Sequence, residues 1–325
     1  MKRKDFFDKI TSVINDWKNT NFTFYPKQNV PGLDDSNLTY GNGEEKKGIE
    51  IYTCVLFVDI RNSVQLTKDK QVRTLGKVYS VFTYCILLAA QDEGGYVRNI
   101  IGDRVMVVFP PDNCYTKAVN CAITINQIAS MIDKEFENFE FKCGIGIDYG
   151  KLSVMKVGIE KKGVENDDNK GLVWAGYPAN FASRLTDCAN KEFTEIIYSV
   201  DADFYELGSF LNPSLLRIPT GWYRITKELT AEELASSLFL SSPNKTLTSK
   251  SFRNPKSIKR NEKTYKYKPI LVSEKVYQEY AKANSNDNDI TKNLWKKQFR
   301  KIKDINFNVW GVDLYWDCNT IIDNA

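Results

Sequence analysis

Between residues 49 and 191, apolar and polar positions alternate in a small number of clear patterns. "VLFVDIRNSV" (55–64) ends a predicted strand over 49–60, with one carboxylate, Asp59, inside the apolar run. "TLGKVYSVFTYCILLAAQDE" repeats apolar residues at helical spacing and predicts a long helix. "GGYVRNIIGDRVMVVFPP" predicts a hairpin turning at Gly102–Asp103. "CYTKAVNCAITINQIASMIDKEF" predicts a second amphipathic helix. "FEFKCGIGIDYGKLSVMKVG" reads as strand, turn, strand, followed by a polar loop at 160–170, and "NFASRLTDCANK" starts a helix. This order predicts an α+β fold, a mostly antiparallel sheet with helices packed on one face.

The flanks are less regular. Phe6, Phe7, Ile10, Val13, Ile14 and Trp17 fall on one helical face, with Asp5 as a plausible N-cap, which predicts packing on the domain or on a dimer partner. Residues 19–48 are turn-rich and read as a loop or arm. "TEIIYSVDADFYELG" reads as strand and helix, and Thr230 and Glu233 have capping-box spacing at the start of a short helix. Residues 243–268 carry nine Lys/Arg against one Glu and read as a solvated loop, with nucleic acid or an acidic partner as the alternative. "KPILVSEKVYQEYA" predicts strand plus helix, and "NFNVWGVDLYW" a final strand.

Composition narrows the chemistry. The chain has 325 residues, 42% hydrophobic, and a net charge of +4, too small to demand a nucleic-acid partner. No apolar run approaches a membrane span, and the N-terminus lacks a signal-peptide core. Seven cysteines without a CxxC pair suggest reduced, buried thiols and a cytoplasmic protein. There is no histidine. That excludes Ser–His and Cys–His triads and histidine-containing zinc sites, and points to metal-assisted chemistry on phosphates.

Asp59 and Asp103 then stand out. The plain reading of Asp59 is a turn cap; alternatively, neighbouring strands would bring both carboxylates to one sheet edge, where they repel unless a cation lies between them. Mg²⁺ takes hard oxygens, typically one or two carboxylates plus substrate phosphates. The pair is a candidate two-metal site, with the Ile60 carbonyl as an extra ligand.

At these residues the sequence resembles the class III nucleotidyl cyclases. "FVDIRNSVQLT" is similar to the family's first metal-binding strand, "VRNIIGDRVMVVF" to its hairpin, "CGIGIDYGKL" to its GI-x-x-G segment, and "GYPANFASRL" to the helix with its transition-state Asn and Arg. The resemblance implies a ferredoxin-like cyclase fold and a homodimer with composite sites. One chain supplies Asp59, Ile60 and Asp103 to two Mg²⁺ or Mn²⁺ ions. The other supplies Asn180 to the ribose and Arg184 to the phosphorus. It also implies four segments: an N-terminal helix and arm (1–48), the cyclase core (49–191), a partly flexible, basic insertion (192–266) and the C-terminal part of the cyclase domain (267–325).

Departures from the family pattern bear on the base. Asn99 stands where adenylate-type enzymes carry Lys, and Val173 where they carry Asp, with Trp174 beside it. "VDIRNSV" and "LVWAGYPANFASRL" look most like the bacterial pyrimidine cyclases of antiphage defence, the Pycsar system, whose cyclic UMP or cyclic CMP activates a separate effector. Base contacts are then expected from Phe57, Asn99, Arg98 and Trp174, and triphosphate contacts from Lys301 or Lys303. UTP is the first expectation and CTP the second. A purine cyclase and an inactive nucleotide-binding module are the rivals.

Overall fold

β2 (Lys46–Ile60) forms the spine of the fold. Cys54, Leu56, Val58 and Ile60 enter one core cluster, whereas Ile49, Ile51 and Val55 enter another, with Phe57 packed against it. The strand is apolar on both sides because both of its faces are covered. Asp59 takes the parity of Phe57 and so belongs to the second face.

The computed structural model describes residues 3–41, 45–63, 72–136, 140–161, 164–206, 210–212, 215–217, 220–241, 246–298 and 308–317. In chain order the elements begin α1 (Arg3–Asn19), β1 (Phe22–Pro26), β2, α2 (Val72–Asp92), β3 (Tyr96–Ile101), β4 (Arg104–Val108), α3 (Cys114–Glu135), β5 (Cys143–Lys161), β6 (Val164–Ala175) and α4 (Tyr177–Cys188). There follow β7 (Glu192–Glu206), β8 (Phe210–Asn212), β9 (Leu215–Arg217), β10 (Gly221–Thr230), α5 (Ala231–Ser237), β11 (Leu238–Ser241), β12 (Thr246–Ser249) and β13 (Phe252–Lys266). The chain closes with β14 (Ile270–Ser273), α6 (Glu274–Ala283), α7 (Asn288–Thr291), β15 (Lys296–Gln298) and β16 (Val309–Val312).

Two compact bodies result, one of residues 1–191 and 267–325, the other of 192–266. The first is built on a mixed sheet in the order β15-β16-β14-β5-β2-β4-β3, with β1 beside β2 and β6 beside β5. β14 runs parallel to β5 and β1 parallel to β2; the other pairs are antiparallel. Its centre, β2-α2-β3-β4-α3-β5 with spatial order β5-β2-β4-β3, is the ferredoxin-like βαββαβ arrangement.

The helices do not share one face, contrary to the expectation. Phe82 and Ile86 of α2, Ala122 and Ile125 of α3, and Val276 and Tyr280 of α6 fill the first cluster. Ala179 and Ala182 of α4 enter the second, on the opposite face. β5 also runs unbroken where a turn was expected. Its glycines serve close packing instead: a Cβ on Gly146 would lie 2.3 Å from the Ala182 carbonyl oxygen and 2.5 Å from the Thr186 nitrogen.

Other polar segments are strands as well. The 19–48 arm contains β1, and the 160–170 stretch continues the β5–β6 hairpin on both sides. α1 fully buries none of its residues; its last turns meet the body through Trp17, 6.2 Å from the Phe22 ring, and Asp16, 3.1 Å from Lys46, while Phe6, Phe7, Ile10 and Ile14 stay exposed among the described residues. Asp5 lies in its first turn rather than at the cap.

In the second body, β10, β7 and β13 form an antiparallel sheet. Leu234 of α5 packs with Val200, Ala202, Phe204 and Phe252. The expected helix within 194–206 is strand, because alternate residues of β7 are needed by this small core. The capping box is present: Thr230 accepts from the Glu233 N–H at 3.1 Å, and Glu233 from the Thr230 N–H at 2.8 Å. The basic stretch expected as a loop contains β13, an edge strand whose charges point to solvent or to partners such as Glu228, 2.9 Å from Lys263.

Candidate active site

The β2 end and the β3–β4 turn bring Asp59 and Asp103 together. Gly102, with φ 62, makes the turn that sets Asp103 beside β2. The Asp103 carboxyl is pushed above its ordinary range by burial and by the neighbouring charge of Asp59, while a hydrogen bond from Ser63 pulls the other way. Its Oδ2 is buried without a hydrogen-bond partner. A hard divalent cation fits this donor set, because it would satisfy the bare oxygen and relieve the repulsion. Among the described residues there is no cluster of three or more His, Cys, Asp or Glu side chains. The two carboxylates would therefore share such an ion with backbone, water and phosphate oxygens. Ile60, the last residue of β2, has its side chain in the core.

Two arginines that the sequence reading did not single out organise the pair. Arg61 is buried; its Nε donates to the Ala189 carbonyl at 2.7 Å and its Nη2 to the Thr186 carbonyl. It thereby caps the C-terminal end of α4, where a cation is favoured, and its Nη1 lies 3.7 Å from Asp59 Oδ2. Arg104 follows Asp103 directly. Its Nη2 donates to Asp59 Oδ2 at 2.8 Å and to Asp187, and its Nη1 donates to Ser183 Oγ at 2.9 Å. Burial disfavours the Arg104 charge, but Asp59 and Asp187 more than offset this and raise its pKa.

α4 carries Asn180 and Arg184 one turn apart, both exposed, with Tyr177 and Asp187 on the same stripe. The opposite side, including Ala179, Ala182 and Leu185, is buried. Asn180 and Arg184 make no hydrogen bond or ion pair with Asp59 or Asp103 of their own chain. Phe57 and Trp174 pack against the same cluster beneath α4. Asn99 lies across from Met106, which in turn lies across from Phe57, so the three form one row on the sheet. Arg98 occupies the bulge between Val97 and Asn99, 4.8 Å from the Tyr96 ring centre. Its Nε is buried without a hydrogen-bond partner among the described residues, as is Trp174 Nε1. Lys301 and Lys303 lie outside the described residues.

A cleft of about 350 Å³ borders the start of α4, with Asp148, Tyr177, Phe181 and Ser273 in its lining. Asp148 is only 4% exposed. Burial pushes its carboxyl from 3.8 up to about 6, against the pull of the Ser273 hydroxyl and the Tyr149 N–H. A raised carboxyl favours the folded state only while it is protonated. This contribution is complete below the unfolded value and is lost as pH rises through about 6. Asp148→Asn is therefore expected to gain about 3 kcal/mol at pH 7.5 and only about 1 kcal/mol at pH 4.5. Urea unfolding at the two pH values measures the difference.

No family profile matches the chain. A uridylate cyclase of Burkholderia cepacia is 31% identical over 182 residues, covering 54% of this chain and 75% of that protein. A uridylate cyclase of Xanthomonas perforans is 31% identical over 205 residues, covering 60% of this chain and 84% of the relative. Among solved structures, the adenylyl cyclase CyaB of P. aeruginosa aligns over 81% of this chain and 94% of its own at 13% identity, with a TM-score of 0.46, a likeness too loose to argue from. The chain belongs to the class III nucleotidyl cyclases, on the branch that includes the uridylate cyclases. It is an enzyme, a nucleotidyl cyclase.

Proposed function

We propose that the enzyme converts UTP to 3′,5′-cyclic UMP and pyrophosphate, as a signal in antiphage defence read by a separate effector. The observation that carries this reading is the kinship, at 31% identity, with two proteins named uridylate cyclase. Asn99 and Val173 support it, since neither supplies the Lys and Asp that the family resemblance associates with adenine. An amide donates and accepts, so Asn99 suits a pyrimidine edge.

In the reaction, the ribose 3′-oxygen bonds to the α-phosphorus. The bond from that phosphorus to the α,β-bridging oxygen breaks, pyrophosphate leaves, and the hydroxyl proton passes to water. Asp59 and Asp103 would hold Mg²⁺ or Mn²⁺, whose charge would acidify the hydroxyl and bind the triphosphate. Asn180 and Arg184 come from the second chain of a homodimer. Arg184 opposes the charge that builds on the phosphorus, where a fixed cation is worth most. Their exposure on α4, away from their own core, suits service to a neighbour.

Incubation with ATP, GTP, CTP and UTP separately, with Mn²⁺ and product identification by mass, tests the reading. Cyclic UMP from UTP is the expected result. Cyclic CMP alone would move the substrate to CTP. A cyclic purine product, or none from any of the four, would overturn the reading.

A further inference from the structure

Arg104 is the cation in direct contact with Asp59, at 2.8 Å, with Arg61 farther off at 3.7 Å. One guanidinium joins three groups on two elements: Asp59 of β2 at 2.8 Å, and Ser183 at 2.9 Å with Asp187 on α4. The carboxylate it binds is also one of the two proposed to hold a metal. We propose that Arg104 is a positioning residue that yields Asp59 Oδ2 to an entering divalent cation, so that metal binding at the carboxylate pair weakens the tie between the pair and α4. The inference rests on Asp59 and Asp103 being the metal ligands.

Charge and geometry support the exchange. A divalent ion between Asp59 and Asp103 would meet the Arg104 guanidinium at ion-pair distance from the same carboxylate, and two cations on one oxygen repel. Arg104 does not depend on Asp59 alone, since Ser183 and Asp187 keep it partnered after it withdraws. Asp59 is not left bare either, because Arg61 remains nearby at 3.7 Å. The displaced contact therefore leaves no buried charge unpaired, and the switch is inexpensive. Its consequence lies in α4. That helix carries Asn180 and Arg184, so in a dimer of composite sites the metal at one site acts on the helix that serves the other.

Mn²⁺ binding without nucleotide, followed by calorimetry and by amide hydrogen exchange, tests this. Wild type is expected to bind Mn²⁺ and to lose protection at residues 183–187 on binding. Arg104→Ala is expected to bind roughly tenfold more tightly, the gain when a competitor holding about nine-tenths of the sites is removed. Its α4 amides are expected to be less protected already, and indifferent to Mn²⁺. Arg104→Gln, which keeps a donor for Ser183 without the charge, serves if the alanine variant folds poorly, with the same gain expected. Unchanged or weaker binding in both variants would overturn the proposal. So would tighter binding with no Mn²⁺-linked change at α4 in wild type, which would make Arg104 a bystander charge. Asp59→Asn separates the two layers: if it binds Mn²⁺ as wild type does, the metal-pair assignment itself fails.

Discussion

Asp59→Ala and Asp103→Ala are each expected to lower turnover by at least about a thousandfold, the scale of several kcal/mol of lost charge stabilisation. Their effects on the metal-free fold should be opposite. Asp59 partners Arg104 at 2.8 Å and lies 3.7 Å from Arg61, so its removal takes the nearest carboxylate from the buried Arg61 and one of two carboxylates from Arg104. Asp103 is held by burial and by Asp59 in a state that disfavours its charge, so its removal relieves the metal-free protein at neutral pH. Thermal melts without metal should move down for Asp59→Ala and up for Asp103→Ala, while both lose activity. A variant that keeps turnover would sink the metal assignment. Mixing Asp103→Ala chains with Arg184→Ala chains adds a second test. If dimers form at random and each site draws on both chains, about a quarter of wild-type activity should return. No return despite mixed dimers would place Arg184 and Asp103 in the same chain's site.

The second large effect is expected at Gly146. A Cβ there would lie 2.3 Å from the Ala182 carbonyl oxygen and 2.5 Å from the Thr186 nitrogen, both backbone atoms of α4. The helix has little room to yield, because Arg61 grips its far end at Ala189 and Thr186. Gly146→Ala is expected to cost about 3 kcal/mol, the upper range for overpacking. It should also lower turnover more than tenfold in the molecules that still fold, since α4 is displaced with Asn180 and Arg184 on it. Gly76 in α2 is the control. Nothing lies within 4 Å of a Cβ there, so Gly76→Ala should gain up to about 1 kcal/mol from helix propensity. Urea midpoints and kcat on the same preparations would check both. A Gly146 variant of normal stability and kcat would show that α4 packs less tightly than the geometry requires.

The class of the enzyme was legible because four short blocks, in order, resemble those of a known family, and several elements were legible because their backbone demands are local. The Gly102–Asp103 turn, the helical repeats of α2 and α3, and the strand ending at Asp59 depend on neighbours within a few residues. What escaped was long-range. Arg61 and Arg104 find their partners on α4 more than 70 positions away, and no local pattern announces such a contact. The glycines of β5 read as a turn because glycine marks both turns and close approaches, and only the position of α4 distinguishes them. β13 escaped because an edge strand of polar sequence looks like a loop, and β1 because its five residues, FTFYP, end in proline inside a turn-rich arm. Asp148 was passed over as part of that supposed turn.

β13 has one further consequence, for how the protein behaves in solution. It is a long outermost strand whose second edge has no strand paired to it among the described residues, the kind of template along which copies of a chain can zip together. Parallel, in-register self-pairing there would set Lys256, Lys259, Arg260, Lys263 and Lys266 each against its own counterpart about 5 Å away. In dilute buffer that repulsion keeps the edges separate, acting as a colloidal guard. Concentrated salt screens it, since the screening length falls to about 3 Å at 1 M. The same lysines that look like a docking surface would then serve chiefly to keep neighbours away.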